Sequence, residues 1–186
     1  MLHLPTRIFQ SILFVLCLSS CENDMSTVTK ITSEKEADLE IGKDVEALYS
    51  DFGKVKAKLL APVMQHSDEG KNPYTGMPAG LTLYFYDEKM RIQSQLTAGY
   101  GISYDASDEM IARNNVVVTN INDEKLETEE LIWNQKTEKI HSDKFVKITT
   151  RDEIIFGEGF ESNQDISNYK IKKIRGTIRL KEKEAL

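Results

Sequence analysis

Thiols are almost missing from this chain. Its two cysteines, Cys17 and Cys21, sit near the N-terminus, and nothing after Cys21 carries sulfur as a thiol. A disulfide framework, a thiolate metal site and a cysteine nucleophile are therefore excluded from the folded body. Histidine is nearly as scarce: of three, only His66 and His141 lie beyond the N-terminal segment. They fall on different predicted strands without ligand-like spacing, and a metal site needs three or four convergent ligands, so no metal is expected. A basic excess is also absent. Lys and Arg number 24 against 30 Asp and Glu, a formal charge of −6, which argues against a nucleic-acid binder. After Leu60 no window sustains a 3.6-residue apolar stripe, so a helical body is not expected.

No apolar run is long enough to span a bilayer, which takes about 20 residues. The longest, Ile8 to Leu18, has eleven and follows the positive Arg7. Leu18-Ser19-Ser20-Cys21 then matches a lipobox, the cleavage signal of bacterial lipoproteins. Residues 1–20 read as a signal peptide, and the Cys21 thiol would carry the lipid. Cleavage removes Arg7 and takes the charge from −6 to −7. Residues 21–38 form the lipidated cysteine and a polar tether without clear periodicity. A chain so anchored faces the periplasm of a diderm bacterium or the outside of a monoderm one.

From Asp44 the pattern becomes one of strands. Val45, Ala47 and Tyr49 alternate with polar positions, Asp51-Phe52-Gly53 supplies a turn, and Val55, Ala57, Leu59 and Ala61 alternate with lysines. That is a half-buried hairpin. Asn72 to Gly80 reads as a loop by its Pro and Gly content. Strands follow at Leu81–Tyr86 and over Ile92 to Tyr104, where seven alternate positions keep one face. Further strands are read at Met110–Thr119, Lys125–Trp133, Lys139–Thr149, Glu153–Glu161 and Tyr169–Leu180. About nine or ten strands in one all-β domain, residues 39–182, imply a sandwich, jelly roll or barrel.

Within that domain the sequence echoes itself. Ile111-Ala-Arg-Asn-Asn-Val-Val-Val lies over Ile140-His-Ser-Asp-Lys-Phe-Val-Lys at an offset of 29 residues. At the same offset Leu126 meets Ile155, Leu131 meets Phe160, and Asn134-Gln135 meets Asn163-Gln164. A self-match at fixed period marks a recurring supersecondary unit, here two strands and two turns.

The residues offer little catalytic chemistry. Glu127, Glu129 and Glu130 alternate with apolar neighbours as a solvated sheet face does. Gly157-Glu158-Gly159 lacks the helix that a phosphate-cradling loop requires and reads as a strand kink. No catalytic residue, metal or cofactor is assigned. The basic C-terminal strand, with Lys170, Lys172, Lys173 and Arg175, is either an edge blunted against aggregation or an edge that docks another sheet. An incompletely closed sheet can carry apolar side chains on its concave face and receive acyl chains there.

The order of Tyr104-Asp105, Met110-Ile-Ala-Arg-Asn-Asn-Val-Val-Val-Thr119, Glu124-Lys-Leu-Glu-Thr-Glu-Glu-Leu131, Val146-Lys-Ile-Thr149, Gly157-Glu-Gly-Phe-Glu-Ser162 and Arg175-Gly176 resembles the LptC family. Tyr49-Ser-Asp-Phe-Gly53 fits its first hairpin, and the likeness runs from about Asp44 to Ile178. LptC belongs with the OstA-like group, which includes LptA and the N-terminal part of LptD. The resemblance implies an open, curved β-jelly roll of the OstA/LptA-like kind. It implies a periplasmic protein that takes lipopolysaccharide from the inner-membrane LptB–LptF–LptG transporter and passes it to an LptA-like jelly roll by edge-to-edge strand pairing. The docking edge would be Tyr169, Ile171, Lys173 and Arg175, and the hairpin near Asp44–Ala61 would face the transporter. Better-known members carry a transmembrane helix where this chain has its lipobox; the inner membrane is the expected anchor site.

Alternation places Leu83, Phe85, Ile92, Leu96, Tyr100, Ile102, Val116, Val118, Ile148 and Ile171 as the lipid-groove residues. A register error of one residue would turn each strand's set outward. The rival readings are a structural or adhesive lipoprotein with a closed β-sandwich, and a glycan-cleaving enzyme with paired carboxylates in a cleft.

Overall fold

The computed structural model describes residues 39–68 and 72–179. All of them lie in the second of two units into which the chain divides, Met1–Glu36 and Ala37–Leu186. The signal segment and the lipobox with Cys21 lie outside the described residues.

The described residues form one antiparallel sheet. Its strands are β1 (Leu39–Asp51), β2 (Lys54–Ser67), β3 (Tyr74–Met77), β4 (Leu81–Tyr86), β5 (Ile92–Ala98), β6 (Tyr100–Tyr104), β7 (Glu109–Asn120), β8 (Lys125–Asn134), β9 (Lys139–Thr149), β10 (Glu153–Asn163) and β11 (Tyr169–Arg179). β3 and β4 both pair with β2, at its two ends. β6 and β5 likewise share β7. Each couple is one long strand with a break, so the sheet is a meander of nine long strands, every one beside its sequence neighbour. β1 pairs only with β2, and β11 only with β10, among the described residues. The sheet is open at both edges.

Every long strand from β3/β4 onward is interrupted near its middle. Gly80, at φ 88°, joins β3 to β4. Gly99 joins β5 to β6 and donates its N–H to the Asn114 carbonyl at 2.8 Å. In β7, Asn114 and Asn115 take φ of 66° and 53°, a left-handed conformation that short polar side chains tolerate. The register shifts there between β7 and β8, and again between β8 and β9 and between β9 and β10. The shift in β7 recurs 29 residues later, where Asp143 and Lys144 stand unpaired between Ser142 and Phe145. The sequence echo is thus a repeated bulged hairpin.

Bulges leave backbone carbonyls without ladder partners, and these must be satisfied when buried. Thr128 Oγ1 donates to the Phe145 carbonyl at 2.9 Å, and Ser142 Oγ to the Glu130 carbonyl at 2.6 Å. Thr128 and Ser142 are buried polar residues for this reason. On the opposite face Arg113 Nε donates to Glu130 at 2.7 Å. That bond, ahead of the opposing cost of burial, holds the Glu130 carboxyl below its ordinary value of 4.5. A depressed carboxylate stabilises the fold above its unfolded pKa and loses that contribution as pH falls through its folded value. Glu130→Gln is therefore expected to flatten the decline of melting temperature below about pH 4.5, read by thermal unfolding across pH.

The interruptions crease the sheet, and its two halves close on each other. Tyr49, near the C-terminal end of β1, donates its hydroxyl to the Gln135 carbonyl, 86 residues away, at 3.3 Å. Phe85 of β4 lies edge-on to Trp133 of β8 with ring centroids 5.1 Å apart. Neither contact is possible in a flat meander, where each joins strand ends that point in opposite directions. The core sits between the halves and includes Leu83, Phe85, Leu96, Val118, Leu126, Leu131, Trp133, Ile140 and Phe160.

Two expectations are corrected. Tyr74–Met77 is a strand, not part of a loop. Pairing with β2 on one side and β6 on the other overrides its Pro- and Gly-rich surroundings. The single face expected from Ile92 to Tyr104 is also broken. The break at Gly99 flips the alternation, so the core side passes from Leu96 and Ala98 to Gly101 and Ser103.

Candidate functional site

Directly paired residues of an antiparallel sheet point to the same face. Following the pairs across the sheet gives two transverse rows on the inner side. In the first, Leu59 pairs with Leu83, Leu83 with Leu96, and Leu96 with Val118. It continues from Val118 to Leu126, Ile148 and Ile155. Every member is at most 8 % exposed. Seven strands at a spacing of about 4.8 Å make this an apolar rail roughly 29 Å long.

The second row crosses the other half. Thr75 pairs with Ser103, Ser103 with Met110, Met110 with Trp133, Trp133 with Ile140, Ile140 with Ser162 and Ser162 with Tyr169. It is apolar in the middle and hydroxyl-bearing at both ends. The rails face each other, and Phe85, Trp133 and Tyr49 join the halves. This space is the one continuous apolar interior that the described residues form. Its lining is apolar along the first rail and through the middle of the second.

The strand ends of the two halves meet along a mouth. Lys56 of β2 reaches Glu138, in the β8–β9 turn, at 3.0 Å. Its ammonium is held above its ordinary range by hydrogen bonds to Glu138 and then Glu88. Further along, the β10–β11 turn crosses to β5 and β7. Gln93 Nε2 donates to Asp165 Oδ2 at 2.8 Å, Ser94 Oγ to the Gln164 carbonyl at 2.5 Å, and Asn120 Nδ2 to the Asp165 carbonyl at 3.1 Å. Ile166, at the centre of that turn, is 2 % exposed and belongs to the core.

The groove residues read from the sequence divide as follows. Leu83, Leu96, Val118 and Ile148 stand in the first rail, and Phe85 and Val116 are buried in the same core. Ile171 is half-buried against that core from β11. Ile92 is 49 % exposed at the mouth. Tyr100 and Ile102 point away from the rails. Ile102 pairs with Ile111 and Gly76, whereas Gly101 pairs with the core residues Ala112 and Met77. A Cβ built on Gly101 would stand 2.3 Å from Leu81 Cδ2, so Gly101 is the residue facing inward. Ile102 is nevertheless 8 % exposed and is covered on the outer face.

The edge residues divide too. Tyr169 stacks on Phe160 at 6.1 Å, and burial raises its hydroxyl pKa above the ordinary value. Arg175 makes a bidentate pair with Glu158 of β10, and Lys173 approaches the same carboxylate at 3.7 Å. The apolar residues that β11 exposes are Ile174 and Ile178, at 63 % and 53 %. Alternation through β11 could have found them, had its register shift been legible.

Trp133, Ile140 and Ile166 were not read as groove residues. Trp133 and Ile140 alternate regularly, but no local signal shows which half of a creased strand meets which. The carboxylates read as a solvated face are ion-paired outside the core: Glu127 with Lys125 and Lys147, Glu130 with Arg113 and Lys144. Gly157 and Gly159 lie in β10 beside a register shift. His66 is brought to Asp68 and Asp105, their ligand-type atoms within 4.8 Å of one another. Its ring is engaged by Thr75 and Asp68, both at 3.0 Å, and the two carboxylates lie in solvent.

A family model described as lipopolysaccharide-assembly, LptC-related, matches residues 8–179. No curated protein matches the chain.

Proposed function

The chain belongs to the LptC family, acting in lipopolysaccharide transport in the periplasm at the inner membrane, and from that premise we propose that the space between its half-sheets carries the acyl chains of lipopolysaccharide. The lipid arrives from the LptB–LptF–LptG transporter on the β1–β2 side and leaves from the β11 edge to an LptA-like jelly roll. Cys21 carries the lipid anchor, in the inner membrane. Sugars and phosphates stay outside in water. Leu83, Phe85, Leu96, Val116, Val118, Ile148 and Ile171 line the path, together with Trp133 and Ile140.

The observation that carries this reading is the unbroken apolar rail from Leu59 to Ile155 in a sheet whose two edges are both unpaired among the described residues. A closed barrel can have the first feature and lacks the second, because full closure leaves no edge strand. Shielding matters because each methylene kept from water is worth about 0.8 kcal/mol. A lipid with several acyl chains would otherwise cross water too slowly to supply a membrane.

In-cell photo-crosslinking tests the path. A photoreactive residue at Ile171 or Tyr49, both half-buried on the core side, is expected to capture lipopolysaccharide. The same residue at Gln95, whose neighbours Ser94 and Leu96 face inward, is expected to capture none. Adducts at Gln95 alone, or at none of the three with the protein folded, would overturn the assignment.

A further inference from the structure

The mouth of the interior that the lipid is to occupy is bridged at one stretch by the β8–β9 turn, through Lys56 and Glu138, and at another by the β10–β11 turn. Residues 164–168 leave β10, cross to the opposite strand ends and return to β11. Three hydrogen bonds tie the turn to the facing half: Gln93 to Asp165, Ser94 to Gln164 and Asn120 to Asp165. These join residues 72, 70 and 45 positions apart, so they bridge the mouth rather than shape the turn.

The turn is shaped separately. Asp165 Oδ1 accepts from the Ser167 N–H at 3.0 Å and from its hydroxyl at 2.7 Å. Asn163 Oδ1 accepts from the Asn168 N–H at 3.1 Å. The Asp165 carboxylate thus has two jobs on two oxygens. Oδ1 builds the turn, and Oδ2 holds the far side through Gln93.

Ile166 is the part inside. Its backbone sits at φ 51°, in the left-handed region, which is strained for a β-branched residue. Strain of this kind persists where surrounding contacts enforce it. Here the enforcing contact is burial: the side chain, 2 % exposed, fills the end of the core. Beside the turn lies a cavity of about 460 Å³ lined by Asp87, Arg91, Gln93, Asn120 and Asp165 among others. Solvent therefore has space next to the bonds that must break for the turn to swing out.

We propose that the β10–β11 turn is a latch: its release from Gln93, Ser94 and Asn120 withdraws Ile166 and opens that stretch of the mouth to lipid. This rests on the lipid path proposed above. Released, the turn loses three hydrogen bonds and exposes one isoleucine, while the backbone strain at Ile166 relaxes. The two rails and the crease need not change.

Charge at one position sets the latch in either direction. Gln93→Glu faces the Asp165 carboxylate with a second one and drives the sides apart; Gln93→Lys replaces the hydrogen bond by an ion pair. The full, lipid-anchored protein would be mixed with fluorescently labelled lipopolysaccharide and the rate of uptake followed. Gln93→Glu is expected to load at least about fivefold faster than wild type at pH 7, and Gln93→Lys slower by a similar factor.

Ile166→Asn is the third variant, since Asn accepts the left-handed backbone and removes the apolar plug. It too is expected to load faster. Equal rates in wild type and all three variants, with lipid bound by each, would overturn the latch and leave the lipid path standing. Lipid bound by none of them, with the proteins folded by circular dichroism, would overturn the lipid path itself and the latch with it.

Discussion

Trp133→Ala is expected to lower the free energy of unfolding by about 3–5 kcal/mol, the largest effect of any single truncation in the core. Trp133 is 3 % exposed in β8. It meets Phe85 edge-on at 5.1 Å and Tyr49 at 5.7 Å, the latter with ring planes 86° apart. Phe85 and Tyr49 belong to the strand ends of the facing half, so one indole joins the two halves. Its removal leaves a cavity where no backbone ladder joins the halves, and where packing and the Tyr49–Gln135 hydrogen bond hold them together.

The indole Nε1 is buried with no hydrogen-bond partner among the described residues. A buried donor left unsatisfied costs about 1–3 kcal/mol. Trp133→Phe removes that donor and keeps an aromatic ring, so it is expected to stay within about 1.5 kcal/mol of wild type. Chemical denaturation of the two variants separates the explanations. If Trp133→Phe falls as far as Trp133→Ala, the N–H has a partner in solution, and the packing account is wrong.

Gly80→Val is expected to be the most damaging backbone change, at about 2–5 kcal/mol. Gly80 holds φ at 88°, where an L side chain is strained in any surroundings. A Cβ there would also stand 2.8 Å from the Ala98 carbonyl oxygen. That oxygen is backbone in the neighbouring long strand, so no rotamer change relieves the clash. Gly80 lies at the crease, and its failure would misplace β3 against β6 while leaving the far hairpins paired. Amide exchange should rise in β3, β4 and β6 well before β9 and β10. Gly53 is the matched control: its φ is 76°, and a Cβ there meets nothing within 4 Å. Gly53→Val keeps the strain and lacks the clash. Equal losses at the two positions would show that close approach at the crease contributes nothing.

Much of the fold was legible along the chain. Period-2 alternation gave the hairpins of β7 through β10 to within two residues. The echo at 29 residues gave their repetition, and the Asn114-Asn115 pair inside it proved to be the bulge. The order of motifs gave the family. The lysines and arginine of the last strand marked it as an edge, and β11 is one among the described residues. All of these are local signals, written in the spacing of neighbouring residues.

Other features were decided only when the sheet folded. Alternation assigned Tyr100 and Ile102 to the same face as Leu96, and Gly99 reversed them. A break of one residue exchanges the faces of everything beyond it, and the same string of residues is compatible with either side. Tyr74–Met77 became a strand because two neighbours were present to pair with it. The meeting of Trp133 with Phe85, and of Asp165 with Gln93 from 72 residues away, has no trace in local periodicity. Those contacts exist because the crease turns strand ends that point apart in the meander into the two sides of one mouth. Sequence by itself determined the strands, their repetition and the edge; tertiary structure decided which side chains face inward past each bulge and what closes the space between the halves.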